Sequence, residues 1–189
     1  MHGFQLWANL PSALKMTDPR YQDIAGNDVP QIIDDDGTVV KIITGNFWGK
    51  AGPVDGIAAD PLFLDVSIPP NGRKTLPVDT RANAFAYVFA GQGSFVDAST
   101  PVGVRVEKEV AGEELNIRDM TGNRTLVRFG NGDDVTVQAG PDGVRFLLIA
   151  GRPLQEPVAW HGPIVMNTRA ELQQAMRDLQ NGNFIKAAH

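Results

Sequence analysis

Three histidines carry most of the acid–base and metal chemistry open to this sequence. They are His2, His161 and His189, and cysteine is absent. A non-haem iron site usually draws two imidazoles and a carboxylate onto one face, but two of these three stand at chain termini, where ordered ligand sites are uncommon. The lack of cysteine excludes disulfides, thiolate metal sites and cysteine nucleophiles. We therefore expect no metal ligand, no catalytic residue and no cofactor in this chain.

Two short motifs resemble binding loops but fit ordinary turns better. The tract Asp34-Asp35-Asp36-Gly37 is acidic, and residues 39–43 after it read as a β-strand. A calcium loop instead needs acidic ligands at alternate positions and a distal glutamate. A hairpin turn is the prediction, with calcium as the minor alternative. The stretch Gly91-Gln92-Gly93-Ser94 precedes no helix whose N-terminus could hold a phosphate, so a β-turn is predicted there too.

His161 and the three tryptophans are the remaining candidates. His161 stands alone beside Gly162-Pro163, a setting more typical of a packing or hydrogen-bonding residue than of a catalyst. No serine lies in a G-x-S-x-G pattern, so a hydrolase triad has no support. Trp7, Trp48 and Trp160 could line a cavity for a flat ligand, although core and interface positions are the favoured interpretation.

The composition is that of a globular chain of 189 residues. Apolar residues make up 42% and charged residues 21%, which argues against disorder. Lys+Arg 17 against Asp+Glu 22 gives a net charge of -5, so direct nucleic-acid binding is not expected. No run approaches the roughly 20 apolar residues of a membrane span, and the first residues lack signal-peptide features. We expect a cytoplasmic protein that contacts no membrane.

The elements that would position any site are mostly strands. Gly 20 and Pro 13 punctuate short apolar runs, which is typical of an all-β chain. Leu62–Ile68 alternates with a period of two, which predicts one buried and one wetter face. Many short strands between turns favour a jelly-roll barrel or sandwich. The predicted strands are 39–43, 62–68, 84–89, 102–106, 125–129, 135–137 and 145–149, with turns at 91–93, 131–133 and 141–143.

A single helix is predicted after the strands. Thr168 and Glu171 have the spacing of a capping box, and Asn181-Gly182 supplies a stop. Between them, apolar residues recur at helical spacing and form one stripe. The stripe consists of Leu172, Ala175, Met176 and Leu179.

The first residues carry a strand signal without a partner. Phe4, Leu6 and Trp7 are apolar and have no earlier strand to pair with, and residues 8–31 read as an extended connector. Because an exposed apolar strand promotes aggregation, we expect a partner to cover this segment.

Motifs at both ends of the chain resemble the pirin family. The matching segments are 3–11 (Gly-Phe-Gln-Leu-Trp-Ala-Asn-Leu-Pro), 15–16, 19–22, 146–151, 153–154, 156–158 and 162–168. They occur in the family's order and span nearly the whole sequence, so the chain is identified as a member of that family. The resemblance implies an all-β, cupin-type jelly-roll barrel with a C-terminal α-helix.

The resemblance also implies where the family's chemistry lies. Pirins have two cupin barrels, and the N-terminal one holds iron through three histidines and a glutamate. Some members act as quercetin 2,3-dioxygenases, and others regulate transcription factors in a metal-dependent way. All those ligands would precede residue 3. The stretches that would carry a second site, Leu76–Asn83 and Val144–Ile149, contain no histidine, so no metal ligand carries over.

These expectations divide the chain into three parts. Residues 1–30 are a remnant of the N-terminal pirin domain with a connector, 31–165 the C-terminal cupin domain, and 166–189 the helix and tail. Whether Met1 is a true start or an internal methionine of a longer, untruncated protein stays open.

The favoured role is a metal-free scaffold or interaction module. It would use Phe4, Leu6, Trp7 and the C-terminal helix for self-association or a protein partner. The alternatives are a part of an iron-dependent quercetin 2,3-dioxygenase whose metal domain lies outside this chain, and a cofactor-free small-molecule binder.

Overall fold

The computed structural model describes residues 3–96, 102–104 and 120–185. Two compact units emerge, Ile24–Pro153 and a second unit that joins Met1–Asp23 to Leu154–His189. The expected family boundaries after residues 30 and 165 remain predictions.

Strands dominate the described residues. Two 3₁₀ turns lie at Ser12–Leu14 and Gly26–Asp28, and the helix α1 spans Arg169–Gln180. The strands, in chain order, are β1 Gln31–Ile33, β2 Val39–Thr44, β3 Asn46–Phe47, β4 Lys50–Ala51, β5 Leu62–Ile68, β6 Arg73–Pro77, β7 Asn83–Val96, β8 Val102–Val104, β9 Thr121–Gly122, β10 Thr125–Arg128, β11 Asp134–Gly151, β12 Ala159–His161 and β13 Ile164–Met166. The end of the predicted strand 102–106 lies outside the described residues.

The unit Ile24–Pro153 is an antiparallel jelly roll. The main sheet has the order β1-β2-β5-β11-β7-β10-β8, while β6 pairs with β11 and β9 pairs with β7. The two longest strands, β7 and β11, pair on both sides of a bend: residues 83–91 with 144–151, and 93–96 with 136–139. Each therefore serves both halves of the barrel, which confirms the predicted cupin-type fold.

Side-chain alternation on these strands builds the core. Along β5, Leu64, Val66 and Ile68 are buried inside the barrel, as predicted from the period of two. Equivalent positions of β2, β7 and β11 supply further interior side chains. The largest fully buried ones include Phe146, Ile42, Leu64, Ile68, Leu76, Leu148, Val40 and Val88.

Two predicted turns are wrong, and the bend explains why. Residues 91–93 and 141–143 lie inside β7 and β11, at a register shift between Ala139 and Val144. Gly91 (φ 65) and Gly143 (φ 78) are left-handed. A bulge of this kind bends a strand without ending it, so residues typical of turns here redirect two continuous strands.

The acidic tract forms the predicted hairpin turn. Gly37 N–H donates to the Asp34 carbonyl at 2.9 Å, which closes the turn between β1 and β2. The carboxylates of Asp34 and Asp36 both pair with the ammonium of Lys74 on β6, at 2.9 Å for Asp36. Lys74 also lies 5.0 Å from the ring centroid of Trp48. The cation that this tract binds is thus the Lys74 side chain of β6.

The second unit consists of the β12–β13 hairpin, α1 and the chain's first segment. Thr168 Oγ1 accepts from Glu171 N–H at 3.2 Å, and Glu171 Oε2 accepts from Thr168 N–H at 2.7 Å, so the capping box is confirmed. Asn181 caps the other end, as predicted. Ala175 of α1 is buried against Ile164 and Met166, with Leu172 and Met176 beside it.

The strand predicted at Phe4–Trp7 is not formed. Phe4, Leu6 and Trp7 lie in irregular backbone and are exposed by 45%, 40% and 68%. Strand geometry needs a ladder of hydrogen bonds to a neighbour, and residues 3–11 pair with no strand of the described chain.

The bend should be sensitive to a single methyl group. A Cβ at Gly91 would overlap the carbonyl oxygen of Gly143. Gly91→Ala should therefore lower the free energy of unfolding by about 1–3 kcal/mol through backbone strain, and by more through that overlap. Urea unfolding measures the change. Gly122→Ala is the control, since a Cβ there meets nothing within 4 Å, and equal effects at both glycines would contradict this role of Gly91.

The Lys74 ion pairs should make stability depend on pH. The hydrogen bond from Lys74 lowers the pKa of Asp34. Burial acts to raise the pKa of Asp36, but hydrogen bonds from Lys74 and Thr38 lower it overall. A carboxyl with a lowered pKa stabilises the fold above its unfolded pKa of about 4 and loses that effect as the pH falls further.

Lys74→Met should therefore have a lower Tm than the wild-type chain at neutral pH. This Tm difference should persist down to about pH 4 and shrink at lower pH. Scanning calorimetry across this range measures it, with Lys41→Met at an exposed position of β2 as the matched control. A Tm difference that stays constant under acid would speak against the ion pairs.

Candidate functional site

The interior of the jelly roll is filled with hydrocarbon. Phe95 and Phe146 meet edge-to-face with centroids 5.4 Å apart, and Phe129 lies 5.8 Å from Phe95. Among the described residues, the only polar side chains that are buried belong to threonines. They are Thr38, Thr44, Thr121 and Thr136.

These residues do not fit the iron that the fold family implies. An iron site needs imidazole and carboxylate ligands converging on an open position. Within residues 3–96, 102–104 and 120–185, no group of three histidine, cysteine, aspartate or glutamate side chains could hold an ion. Leu76 lies in the first of the two stretches that would carry a second metal site, and Phe146 lies in the second. Both side chains are fully buried in the apolar core.

The imidazoles are not brought together in the described chain. His161 is exposed on the short strand β12, in the unit with α1. His2 and His189 lie outside the described residues. The expectation that no metal ligand or catalytic residue belongs to this chain therefore remains a prediction.

One end of the barrel opens into a cavity of about 430 Å³. Its floor is formed by the last inward residues of the strands, Leu62 on β5 and its partner Ala150 on β11, with Val78 following β6. Trp48 stands at the rim and is 37% exposed. The other lining residues are Gly45, Asn46, Phe47, Asp60, Pro77, Asp79, Ala82 and Arg152.

Two loops shape this opening through unusual backbone. Trp48 (φ 45), Ala59 (φ 71) and Asp60 (φ 47) are non-glycine residues in the left-handed region. Arg152 N–H donates to the Ala59 carbonyl at 3.1 Å, which ties one loop to the end of β11. Such conformations are costly and persist where surrounding contacts enforce them.

The rim of the cavity carries Asp60, Asp79 and Arg152, and a second arginine, Arg81, pairs with Asp79 from outside the lining. Arg81 binds Asp79 with two side-chain hydrogen bonds of 3.0 and 2.7 Å, and these hold the pKa of Asp79 well below its ordinary value. Arg152 lies 3.8 Å from Asp79 and 4.0 Å from Asp60. Both distances are longer than hydrogen bonds, so Arg152 is attracted to these carboxylates without being fixed by them.

Sequence reasoning did not assign these rim residues to a site. The sequence makes Trp48 a candidate to line a cavity for a flat ligand, but it does not single out Arg152 or Asp60. The usable signal is the pair of glycines around Trp48, at 45 and 49, because both mark a tight loop after a buried strand. Trp7 and Trp160 are exposed in the other unit, by 68% and 69%.

The outward residues of β5 are less buried than its inward ones, as the period of two predicts, but part of the outer surface of the main sheet is apolar. Phe63 of β5 packs with aromatic and aliphatic side chains of β7 and β11. Arg145 covers this cluster, lying 5.0 Å from the Phe89 ring and binding Asp65 at 2.9 and 2.5 Å. The cluster comprises Phe63, Phe85, Tyr87, Phe89, Leu147 and Ile149.

The unit with α1 exposes large apolar side chains. Tyr21 is 87% exposed and Val158 64%, besides the residues of the first segment and Trp160. Most of the predicted helix stripe is used within the unit, since Leu172, Ala175 and Met176 pack on β13, whereas Leu179 is 48% exposed. The helix therefore contributes less exposed apolar surface to this unit than its sequence pattern predicts.

None of the described helices has the length and apolar character to span a bilayer.

Known proteins with similar sequences cover almost all of this chain. Residues 63–185 match the pirin C-terminal cupin domain. A pirin-like protein of Caulobacter vibrioides is 41% identical over 97% of the chain and 59% of its own length. Human pirin is 34% identical over 95% of the chain and 56% of its own length.

Solved structures agree with the sequence matches. A quercetin 2,3-dioxygenase from Acinetobacter baumannii superposes with a TM-score of 0.75 at 27% identity, over 94% of this chain and 55% of that one. The chain thus spans somewhat more than half the length of these relatives. With the family domain matched over most of the sequence and the jelly roll present as that family requires, this protein belongs to the pirin family.

Proposed function

We propose that this chain is the metal-free cupin barrel of a pirin-type protein and works as a scaffold and interaction module. The observation that carries the proposal is the barrel interior, in which phenylalanine and aliphatic side chains occupy the space that a ligand set would need. Imidazole and carboxylate groups cannot enter that space without losing hydration and leaving a cavity or an overlap.

The interaction surface would be the apolar side chains of the unit that contains α1. Phe4, Leu6 and Trp7 are exposed within one short segment, and Trp160 and Val158 are exposed near the β12–β13 hairpin. Large exposed aromatic residues are the groups that contribute most at protein interfaces. We assign this surface first to a second copy of the chain or to a second cupin barrel with an apolar face.

A second candidate function rests on the structural relative. The resemblance to a quercetin 2,3-dioxygenase, at a TM-score of 0.75, supports a role as the non-catalytic part of a metal-dependent dioxygenase. In that case the iron and the oxygen chemistry would belong to a different cupin barrel. This chain would supply the scaffold, so its own residues have the same role under both candidate functions.

Iron content is the direct test of the metal-free assignment. After anaerobic incubation with ferrous iron and gel filtration, elemental analysis should find far less than one iron per chain. His161→Ala should leave the iron content unchanged. His161 is the one histidine among the described residues, so it is the imidazole to test as an iron ligand. One tightly held iron per chain that His161→Ala removes would overturn the proposal.

Quercetin turnover tests what the two candidate functions have in common. The isolated chain with added ferrous iron should consume no oxygen in the presence of quercetin, because the described residues offer no ligand set for the metal. Sustained oxygen uptake that follows the amount of this chain would contradict both assignments.

Self-association should depend on the first segment. Trp7→Ser should weaken the association constant of the isolated chain about tenfold or more, as expected for removal of a buried interface tryptophan. Sedimentation velocity over a concentration series measures this. Ile33→Ser is the matched control, since Ile33 is 67% exposed in the other unit. A chain that stays monomeric throughout, or equal effects of both variants, would argue against this surface.

A further inference from the structure

The open end of the barrel has the composition of a small-molecule site. Its volume of about 430 Å³ lies within the roughly 300–1,000 Å³ typical of ligand pockets. The floor is apolar, with Leu62, Val78 and Ala150, and the polar groups stand at the rim. Mouths of β-barrels are a preferred position for such sites.

Arg152 is the group at this rim that could recognise a ligand. Its guanidinium lies 3.8 and 4.0 Å from Asp79 and Asp60, so neither carboxylate is hydrogen-bonded to it at these distances. Two side-chain nitrogens of Arg81 instead donate hydrogen bonds to Asp79. The two carboxylates therefore attract Arg152 without accepting a hydrogen bond from it at these distances. Its N–H groups suit a planar acceptor with two oxygens.

Trp48 supplies the flat surface of the cavity. It is held in a left-handed backbone conformation (φ 45) at the rim, and its ring lies 4.5 Å from that of Phe47. Lys74 approaches the Trp48 ring at 5.0 Å, which adds a cation to the same ring. Non-glycine strain of this kind concentrates at functional sites, and two of the described positions that show it, Trp48 and Asp60, line this opening.

We propose that the barrel mouth binds a small aromatic carboxylate. Its ring would lie against Trp48 and the floor of Leu62 and Ala150, and its carboxylate would accept hydrogen bonds from Arg152. Arg81, which does not line the cavity, pairs with Asp79 and offsets its charge. Asp60, with its side chain 80% exposed, repels an anion only weakly because solvent and salt screen it. This site is independent of the interaction surface proposed above.

The experiment uses benzoate as the probe and the indole N–H signals of the chain as the reporter. In ¹H–¹⁵N spectra the Trp48 signal, identified by its loss in Trp48→Phe, should shift saturably as benzoate is added. The signals of Trp7 and Trp160 should not move and so serve as internal controls. The titration extends to concentrations on the order of 10 mM, about the weakest affinity expected for a fragment of this size.

Two variants and one analogue make the result decisive. Arg152→Gln should weaken benzoate binding about tenfold or more, the effect of losing a charged hydrogen bond. Arg128→Gln, an exposed arginine on β10, should not change it. Benzamide should bind much more weakly than benzoate. No saturable shift of Trp48, an equal affinity for benzamide, or an unchanged affinity in Arg152→Gln would overturn the site.

Discussion

The bend shared by β7 and β11 is the constraint on which the barrel depends. Both strands cross from one half of the jelly roll to the other, and neither of their left-handed glycines tolerates a side chain: a Cβ at Gly91 would overlap the carbonyl oxygen of Gly143, and a Cβ at Gly143 would overlap that of Ile68. Because the strands stay continuous across the bend, their inward residues form one interior lined from all sides. Phe146, three residues after Gly143, is fully buried in this interior.

Because apolar side chains fill the barrel interior, the cavity lies at one end of the barrel. Filling the interior with Phe95, Phe146 and aliphatic side chains stabilises the fold through burial of apolar area, and within the described residues threonines are the only buried polar side chains. The cavity at Trp48 and Arg152 is shallow because Ala150 and Leu62 close the barrel beneath it.

Much of the fold could be predicted because its signals are local. The capping box at Thr168 and the alternation of Leu62–Ile68 both depend on neighbours in sequence, and both are confirmed. The bend was missed because Gly91 and Gly143 are typical of turns, and only their pairing across the sheet shows that the strands continue. The cavity was missed for a similar reason, since Arg152 and Asp60 meet only after the barrel closes. The strand predicted at Phe4 failed because a strand needs a partner.

Anomalous diffraction from crystals grown with ferrous iron would show whether the barrel interior holds an ion. An iron atom scatters strongly at its absorption edge, so even partial occupancy inside the barrel would be located without reference to activity. We expect no anomalous peak among the side chains around Phe146. A peak there, bonded to groups of this same chain, would contradict this expectation.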